Sequence, residues 1–437
     1  MAKGERIIAA SSAPHIVVLG GGAGGLELAC ALAGEGRRVT LVDRVGSHLW
    51  KPRLHEFAAG TVDSTLSEMS FYTLASLRGF RFEQGEVEAV DRASKTVRLS
   101  PVRSPDDRIV GPGRTIPYDR LVVALGGVTP DFGTTGVAEN AIRLDERSDA
   151  DRFRELFVAA VLRARANGKP AKIAIIGSGA TGTELAAHLR QAERAFLDQS
   201  EKERQTKLLT ITLLEAAPEI MPGADGELRR SVSDRLDRLD ITKHVDAKIA
   251  AVEIDGVRSA DGESWPADIT VWAAGLVGNP CLAQLADFEM DKKGRIVVDD
   301  RLRTSVDPAI LAIGDAASFT PPGADAPLPP TAQCASQQAV YLAKALPAMM
   351  TGKEPEPFVF QDRGRLLSLA QGGSVGSIGL FRSRDDILVE GQFALAAYHG
   401  LQRRHQWSVL GPLRGSVAIL ADMISPAKGP ALKLHGG

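Results

Sequence analysis

Two glycine-rich turns constrain this chain more than any other feature, because each follows an apolar run of β-formers and opens a helix-forming stretch. The first is His15-Ile-Val-Val-Leu, then Gly20-Gly-Gly22-Ala-Gly-Gly25, then Leu26-Glu-Leu-Ala-Cys-Ala-Leu-Ala. The second starts 157 residues later and reads Lys172-Ile-Ala-Ile-Ile, Gly177-Ser-Gly179-Ala-Thr-Gly182, then Thr183-Glu-Leu-Ala-Ala-His-Leu. A G-x-G-x-x-G between strand and helix has a physical logic. The first glycine makes the tight turn, the second admits a pyrophosphate to the backbone, and the third lets helix and strand pack closely. The helix N-terminus then meets the phosphate charge.

Each turn has an acidic partner at the end of the next strand. Asp43 closes Val39-Thr-Leu-Val, 23 residues after Gly20, where a carboxylate accepts from a ribose hydroxyl. Glu215 closes Leu209 to Leu214, 38 residues after Gly177, which exceeds the usual spacing of ~20. The excess is the charged stretch Ala192 to Lys207, read as an extension of the helix. A carboxylate at Glu215 repels a 2′-phosphate and favours NADH over NADPH. Other apolar strands also end in glycine: Gly126 and Gly127 after Leu121 to Leu125, Gly275 after Val271 to Ala274, and Gly314 before Asp315. Asp315 offers a carboxylate to a polyol chain, although Gly-Asp alone equally suits an ordinary turn. Glycine totals 44 of 437 residues, above the usual ~7%, and these strand ends account for its placement.

The expected fold is α/β, with two Rossmann-like dinucleotide-binding domains, the second inserted into the first. The boundaries are 1–147 for the first part of an FAD-type unit, 148–288 for an NADH-type unit, 289–390 for the return to the first unit, and 391–437 for a C-terminal region. Residues 85–118 alternate apolar and polar, as in an antiparallel insert. The charged and apolar fractions are those of a folded chain, and the net charge of −2 provides no basic field for nucleic acid. Three scattered cysteines form no disulfide framework and no C-x-x-C, which points to a reducing compartment. No secretory signal and no membrane-spanning run is expected, and no metal.

Ser47-His-Leu-Trp-Lys-Pro-Arg-Leu-His-Glu56, Gly177-x-Gly-x-Thr-Gly-x-Glu184, Val271-Trp-Ala-Ala-Gly and Ala332-Gln333-Cys-Ala-Ser-Gln337 together resemble the type II NADH dehydrogenases, within the two-dinucleotide-binding flavoproteins. The resemblance runs from about residue 15 to Lys433-Leu-His435. It implies transfer of two electrons from NADH through FAD to a membrane quinone without proton pumping, by a peripheral enzyme on the cytoplasmic side of the cell membrane. It places FAD at Gly20, Gly22, Gly25, Asp43 and Asp315, NADH at Gly177, Gly179 and Gly182, and Glu184 near nicotinamide and flavin. Gln333 and Gln337 match its quinone-pocket pair, and a homodimer is a family-based expectation.

The residues read bottom-up agree. Hydride transfer to a flavin needs stacking, orientation and water exclusion rather than a protein nucleophile. Pro329-Pro330-Thr331 signals a helix start over Ala332 to Leu346, whose N-terminal end charge suits an anionic reduced flavin. Gln333 and Gln337 share one helical face and can donate to a quinone carbonyl, but they equally suit a solvated face. Glu184 falls in the first turn after Gly182, where an acid also simply suits the helix dipole. His55 and Glu56 read as structural or flavin-edge groups. Lys51 faces either the flavin diphosphate or solvent. Cys334 reads as a small buried residue.

The C-terminal region interleaves Arg403, Arg404, Arg414, Lys428 and Lys433 with Leu395, Tyr398, Trp407, Leu413, Val417 and Leu420, as an interfacial amphipathic element does. A helix packed on the core or on a second copy has the same composition. Two rival functions stay open: a flavin-linked NADH oxidoreductase using another acceptor or sulfide, and an NADH-sensing flavoprotein with little turnover.

Overall fold

The structure, a computed structural model, describes residues 13–34, 36–62, 68–104, 106–197, 207–379 and 386–424. The chain opens with strand β1 (His15–Leu19), helix α1 (Ala23–Leu32), β2 (Arg38–Asp43), α2 (Leu54–Ala59), β3 (Arg81–Gln84) and β4 (Arg120–Val123). It then builds a second unit from β5 (Ala141–Arg143), α3 (Arg147–Asn167), β6 (Ala171–Ile176), α4 (Ala180–Ala195), β7 (Leu209–Leu214), β8 (Thr242–His244) and β9 (Ile269–Trp272). The return comprises β10 (Ile310–Ala312), α5 (Ala332–Met350), β11 (Arg365–Ser368), β12 (Ser374–Gly379), β13 (Asp386–Glu390), α6 (Gly391–Leu410) and α7 (Pro412–Ile424).

Two five-stranded sheets result, in the orders β10-β4-β1-β2-β3 and β5-β9-β6-β7-β8, and every pairing within them is parallel. Their central strands are covered on both faces, which is why they read as unbroken apolar runs rather than alternating ones. Val18 sits between Val122 and Leu41, and Ile175 between Val271 and Leu213, all buried. Both sheets are Rossmann-like, and their carboxyl edges carry the glycine turns.

The expected insert is present as a three-stranded antiparallel sheet of Val87–Asp91, Thr96–Leu99 and Arg114–Pro117. A second such sheet, Ile249–Glu253, Gly256–Ser259 and Ser264–Pro266, decorates the second unit. The second sheet starts at β5, ahead of residue 147, because Ala141 to Arg143 pair with Thr270 to Trp272. The chain re-enters the first core with Leu282 and Leu285, ahead of residue 288. Where it crosses, Gly127–Val128 pairs antiparallel with Val277–Gly278.

The two units are not separately packed. Leu54 and Phe57 of α2, together with Leu367, Leu369 and Val375, belong to the core of the second unit. The segment 365–379 therefore packs on the second unit, although it follows the return to the first. Helix α4 ends at Ala195, well short of Lys207, and residues 198–206 of the expected extension lie outside the described residues. Helix α5 begins where Thr331 caps it, its hydroxyl accepting from Cys334 N–H at 3.2 Å, and it continues past Leu346 across Pro347 to Met350.

Candidate functional site

The two glycine turns are built alike, residue for residue. Gly20 and Gly177 adopt φ of +101° and +102°, a left-handed conformation that favours glycine. Each donates its N–H at 2.8 Å to the strand that ends on the acidic partner, Gly20 to Val42 O and Gly177 to Leu214 O. A Cβ on Gly25 would run into Gly20 O, and one on Gly182 into Gly177 O, which is the close helix–strand approach the motif requires. Gly22 and Gly179 are the N-caps, and open space stands where their Cβ atoms would be. Each helix thus presents uncapped N–H groups to an open cradle, which fits a pyrophosphate.

The acidic partners hold their own loops. Asp43 accepts from Gly21 N–H at 2.6 Å and Val45 N–H at 3.0 Å. Glu215 accepts from Ser178 N–H at 2.9 Å, the Ser178 hydroxyl at 2.7 Å and Ala217 N–H at 2.9 Å. Burial raises the Asp43 carboxyl, opposed by these amides and by Arg44.

One cleft of about 900 Å³ joins the two units. Gly20 to Gly25, Asp43, Lys51, Gly126, Gly127, Gly314 and Asp315 line it from the first unit, and Thr181, Trp272, Ala273 and Gly275 from the second. Lys51 Nζ donates to Gly127 O at 3.1 Å and faces Asp145 at 3.7 Å, so its ammonium lies on the cleft wall. Asp315 is raised by burial, against the charges of Lys51 and Arg295. Ala332 and Ala335, at the start of α5, also line the cleft, so this helix points its N-terminus at the same space. An ion pair between Arg44 and Glu146 also borders it. These two residues lacked any motif; only the structure, through the pairing of loops distant in sequence, reveals them.

Gln333 and Gln337 do not line this cleft. They hold the backbone of residues 361–363: Gln337 Nε2 donates to Gln361 O at 2.8 Å and Gln337 Oε1 accepts from Gln361 N–H at 3.0 Å. Gln333 Oε1 accepts from Arg363 N–H at 2.9 Å, and its Nε2 donates to Asp362 at 3.3 Å. Among the described residues, each amide thereby spends one of its two N–H groups. Gln338, which the sequence did not single out, is the buried glutamine of this helix and accepts from Gly314 N–H at 2.7 Å.

Glu184 is the fifth residue of α4, not a first-turn acid, and no acid stands in that turn. It is buried between the units, accepting from Ser368 N–H at 2.8 Å with His55 Nδ1 3.8 Å away. Burial raises its carboxyl well above the ordinary value, the Ser368 amide opposing and the Glu56 charge reinforcing. His55 is pushed down to about 3 by burial and His188. Glu56 forms a two-pronged ion pair with Arg53 at 2.9 and 2.7 Å, and Arg53 also donates to Gln402 at 2.7 Å. Burial raises the Glu56 carboxyl, but the Arg53 charge and its hydrogen bonds outweigh this and hold it down at about 2. His55, Glu56 and His188 bring three ligand-type atoms within 4.8 Å of one another, yet the Arg53 guanidinium already neutralises the carboxylate there.

Tyr398 points inward and donates to Glu56 at 3.1 Å, so it leaves the expected interfacial set. The outward residues of the α6–α7 hairpin are Phe393, Leu401, Trp407, Leu413, Val417 and Leu420, all exposed. Side chains beyond Leu420 and all residues beyond Ile424, including Lys428 and Lys433, lie outside the described residues. Among the described residues no helix is long and apolar enough to cross a membrane. All three cysteines are free, and burial pushes Cys30 and Cys334 up to about 12.

Fold and cleft define the class: an α/β protein of two Rossmann-like units bordering one cavity, which Thr181 of the second glycine turn lines, whereas Gly177, Gly179, Gly182, Glu184 and Glu215 do not. A family model described as pyridine nucleotide-disulphide oxidoreductase matches residues 7–339. A type II NADH:quinone oxidoreductase of Haemophilus influenzae is 34% identical, covering 96% of this chain and 100% of its own length. One from Mycobacterium tuberculosis is 26% identical over 94% of this chain and 90% of its own. In fold, the chain is similar to NDH2 from Plasmodium falciparum in complex with NADH, with TM-score 0.77, 16% identity and coverage of 95% and 99%. The chain belongs to the pyridine nucleotide-disulphide oxidoreductases and, among them, to the type II NADH:quinone oxidoreductases.

Proposed function

We propose that the chain is a peripheral NADH:quinone oxidoreductase that passes two electrons from NADH through FAD to a membrane quinone without pumping protons. The observation that carries this reading is the single cleft onto which both dinucleotide units and the α5 N-terminus open. Bound FAD supplies a carrier that accepts a hydride and returns two electrons.

The chain's own residues orient and insulate. Gly20, Gly22 and Gly25 take the FAD pyrophosphate, Asp43 and Asp315 its polar arms, and Lys51, Gly126 and Gly314 the cleft wall beside it. Gly177, Gly179 and Gly182 take the NADH pyrophosphate, Gly275 and Thr181 border the nicotinamide side, and Glu215 excludes a 2′-phosphate. Glu184, whose buried carboxyl is raised well above its ordinary value, stands beside the meeting point of the units, where it can take up and pass a proton. Gln333 and Gln337 position residues 361–363 at the quinone edge, and each keeps one amide N–H for a quinone carbonyl.

The exposed apolar strip of α6 and α7, flanked by Arg403, Arg404 and Arg414, supports docking on the cytoplasmic face of the cell membrane. A homodimer is the assembly the resemblance implies. The relatives' names weigh against the sulfide-linked and sensor readings. Steady-state NADH oxidation tests the proposal: a quinone analogue should support faster turnover than any soluble non-quinone acceptor. The reverse order of acceptors would favour another flavin-linked oxidoreductase.

A further inference from the structure

A buried chain of hydrogen bonds links the first glycine turn to the C-terminal helix α6. His48 Nδ1 lies 2.8 Å from the carbonyl oxygen of Gly21, and His48 Nε2 lies 2.9 Å from His405 Nε2. His405 Nδ1 lies 2.7 Å from Glu27 Oε1, and the Ser336 hydroxyl donates to Glu27 Oε2 at 2.7 Å. His48, His405 and Glu27 are all at most 6% exposed, and the Trp50 ring covers His405 at 4.2 Å.

The direction of this chain follows from its ends. A carbonyl only accepts, so His48 Nδ1 carries hydrogen. Burial and the facing His405 ring push His48 down to about 3, so it is neutral and its Nε2 is an acceptor. His405 Nε2 must then donate. The contact between His405 Nδ1 and Glu27 also needs a hydrogen. Together Glu27 and His405 therefore hold one proton more than a carboxylate and a neutral imidazole would. That proton makes the buried pair electroneutral, which spares an unpaired buried charge.

We propose that His405 is a positioning residue for FAD, fixing the Gly21 carbonyl through His48 while the proton shared with Glu27 sets the direction of the chain. This rests on reading Gly20 to Gly25 as the FAD loop. Without His405 the His48 ring loses the donor that fixes its tautomer and orientation, its hold on the Gly21 carbonyl loosens, and FAD is held less tightly.

The test is the rate of FAD release from the holoenzyme, read by flavin fluorescence. His405→Ala should release FAD about tenfold faster than wild type, the scale set by one lost hydrogen bond. His405→Gln, whose amide N–H can still donate to His48, should retain FAD at the wild-type rate, and so should Glu27→Gln, since an amide donates to His405 and accepts from Ser336. Val409→Ala, which trims a buried apolar residue of the same helix, should lower the melting temperature and leave the release rate unchanged. Wild-type retention in His405→Ala, or release from His405→Gln as fast as from His405→Ala, overturns the proposal. If His405→Ala does not fold, about tenfold faster release from His405→Gln or Glu27→Gln overturns it. Gly25→Val separates the two levels: retention of FAD in that variant overturns the loop assignment itself, whereas its loss alongside retention in His405→Ala overturns only the relay.

Discussion

Glu184 and Glu56 lie in one buried neighbourhood and titrate in opposite senses because of a single cation. Arg53 grips Glu56 with two hydrogen bonds, whereas Glu184 has the Ser368 amide and the neutral His55 imidazole beside it and, among the described residues, no paired cation. Glu56 has a depressed folded value, so its stabilisation is complete above the ordinary ~4.3 and is lost as pH falls toward about 2. Arg53→Met strands that carboxylate and should cost about 3–5 kcal/mol in denaturant unfolding. Glu184 has a raised folded value, so its contribution is complete below ~4.3 and disappears as pH rises through the folded value. Glu184→Gln should therefore melt with a flatter pH dependence on the alkaline side. It should also slow turnover by about tenfold or more, because an amide carries no transferable proton. Wild-type rates in both the NADH and the quinone half-reactions would remove that role.

The elements most legible in the sequence are those whose physics is local. A strand, a glycine turn and a helix N-terminus are contiguous, so both dinucleotide loops and the Thr331 cap could be read directly. Gly25→Val and Gly182→Val discriminate between the loops. The first should yield protein lacking flavin absorbance; the second should keep flavin and raise the KM for NADH at least tenfold, the scale of one lost ~1.4 kcal/mol of binding. What sequence could not show depends on distant partners. Gln333 and Gln337 were legible as one helical face, but their union with residues 361–363 needed the fold. The Arg53–Gln402 and His405–Glu27 bonds join residues 349 and 378 apart, with no periodicity to announce them. Tyr398 was misplaced for the same reason, since composition does not tell which side of a helix packs. Truncation before Gly411 removes Leu413, Val417 and Leu420 and should release the protein from anionic vesicles, as measured by co-sedimentation. Undiminished sedimentation would contradict the membrane reading of the hairpin.

At the scale of the whole molecule, two repeated units meet at one cavity, and the segment 365–379 ties the second unit to the return of the first. In the proposed function this cleft is where the two cofactors meet, and all three cysteines are free. Anaerobic titration of the purified holoenzyme tests this claim most directly. Stoichiometric NADH should bleach the flavin band within mixing time, and a quinone analogue added next should restore it as fast as steady-state turnover. Restoration that is slow with quinone and fast with a soluble acceptor, or bleaching without restoration by any acceptor, would contradict it.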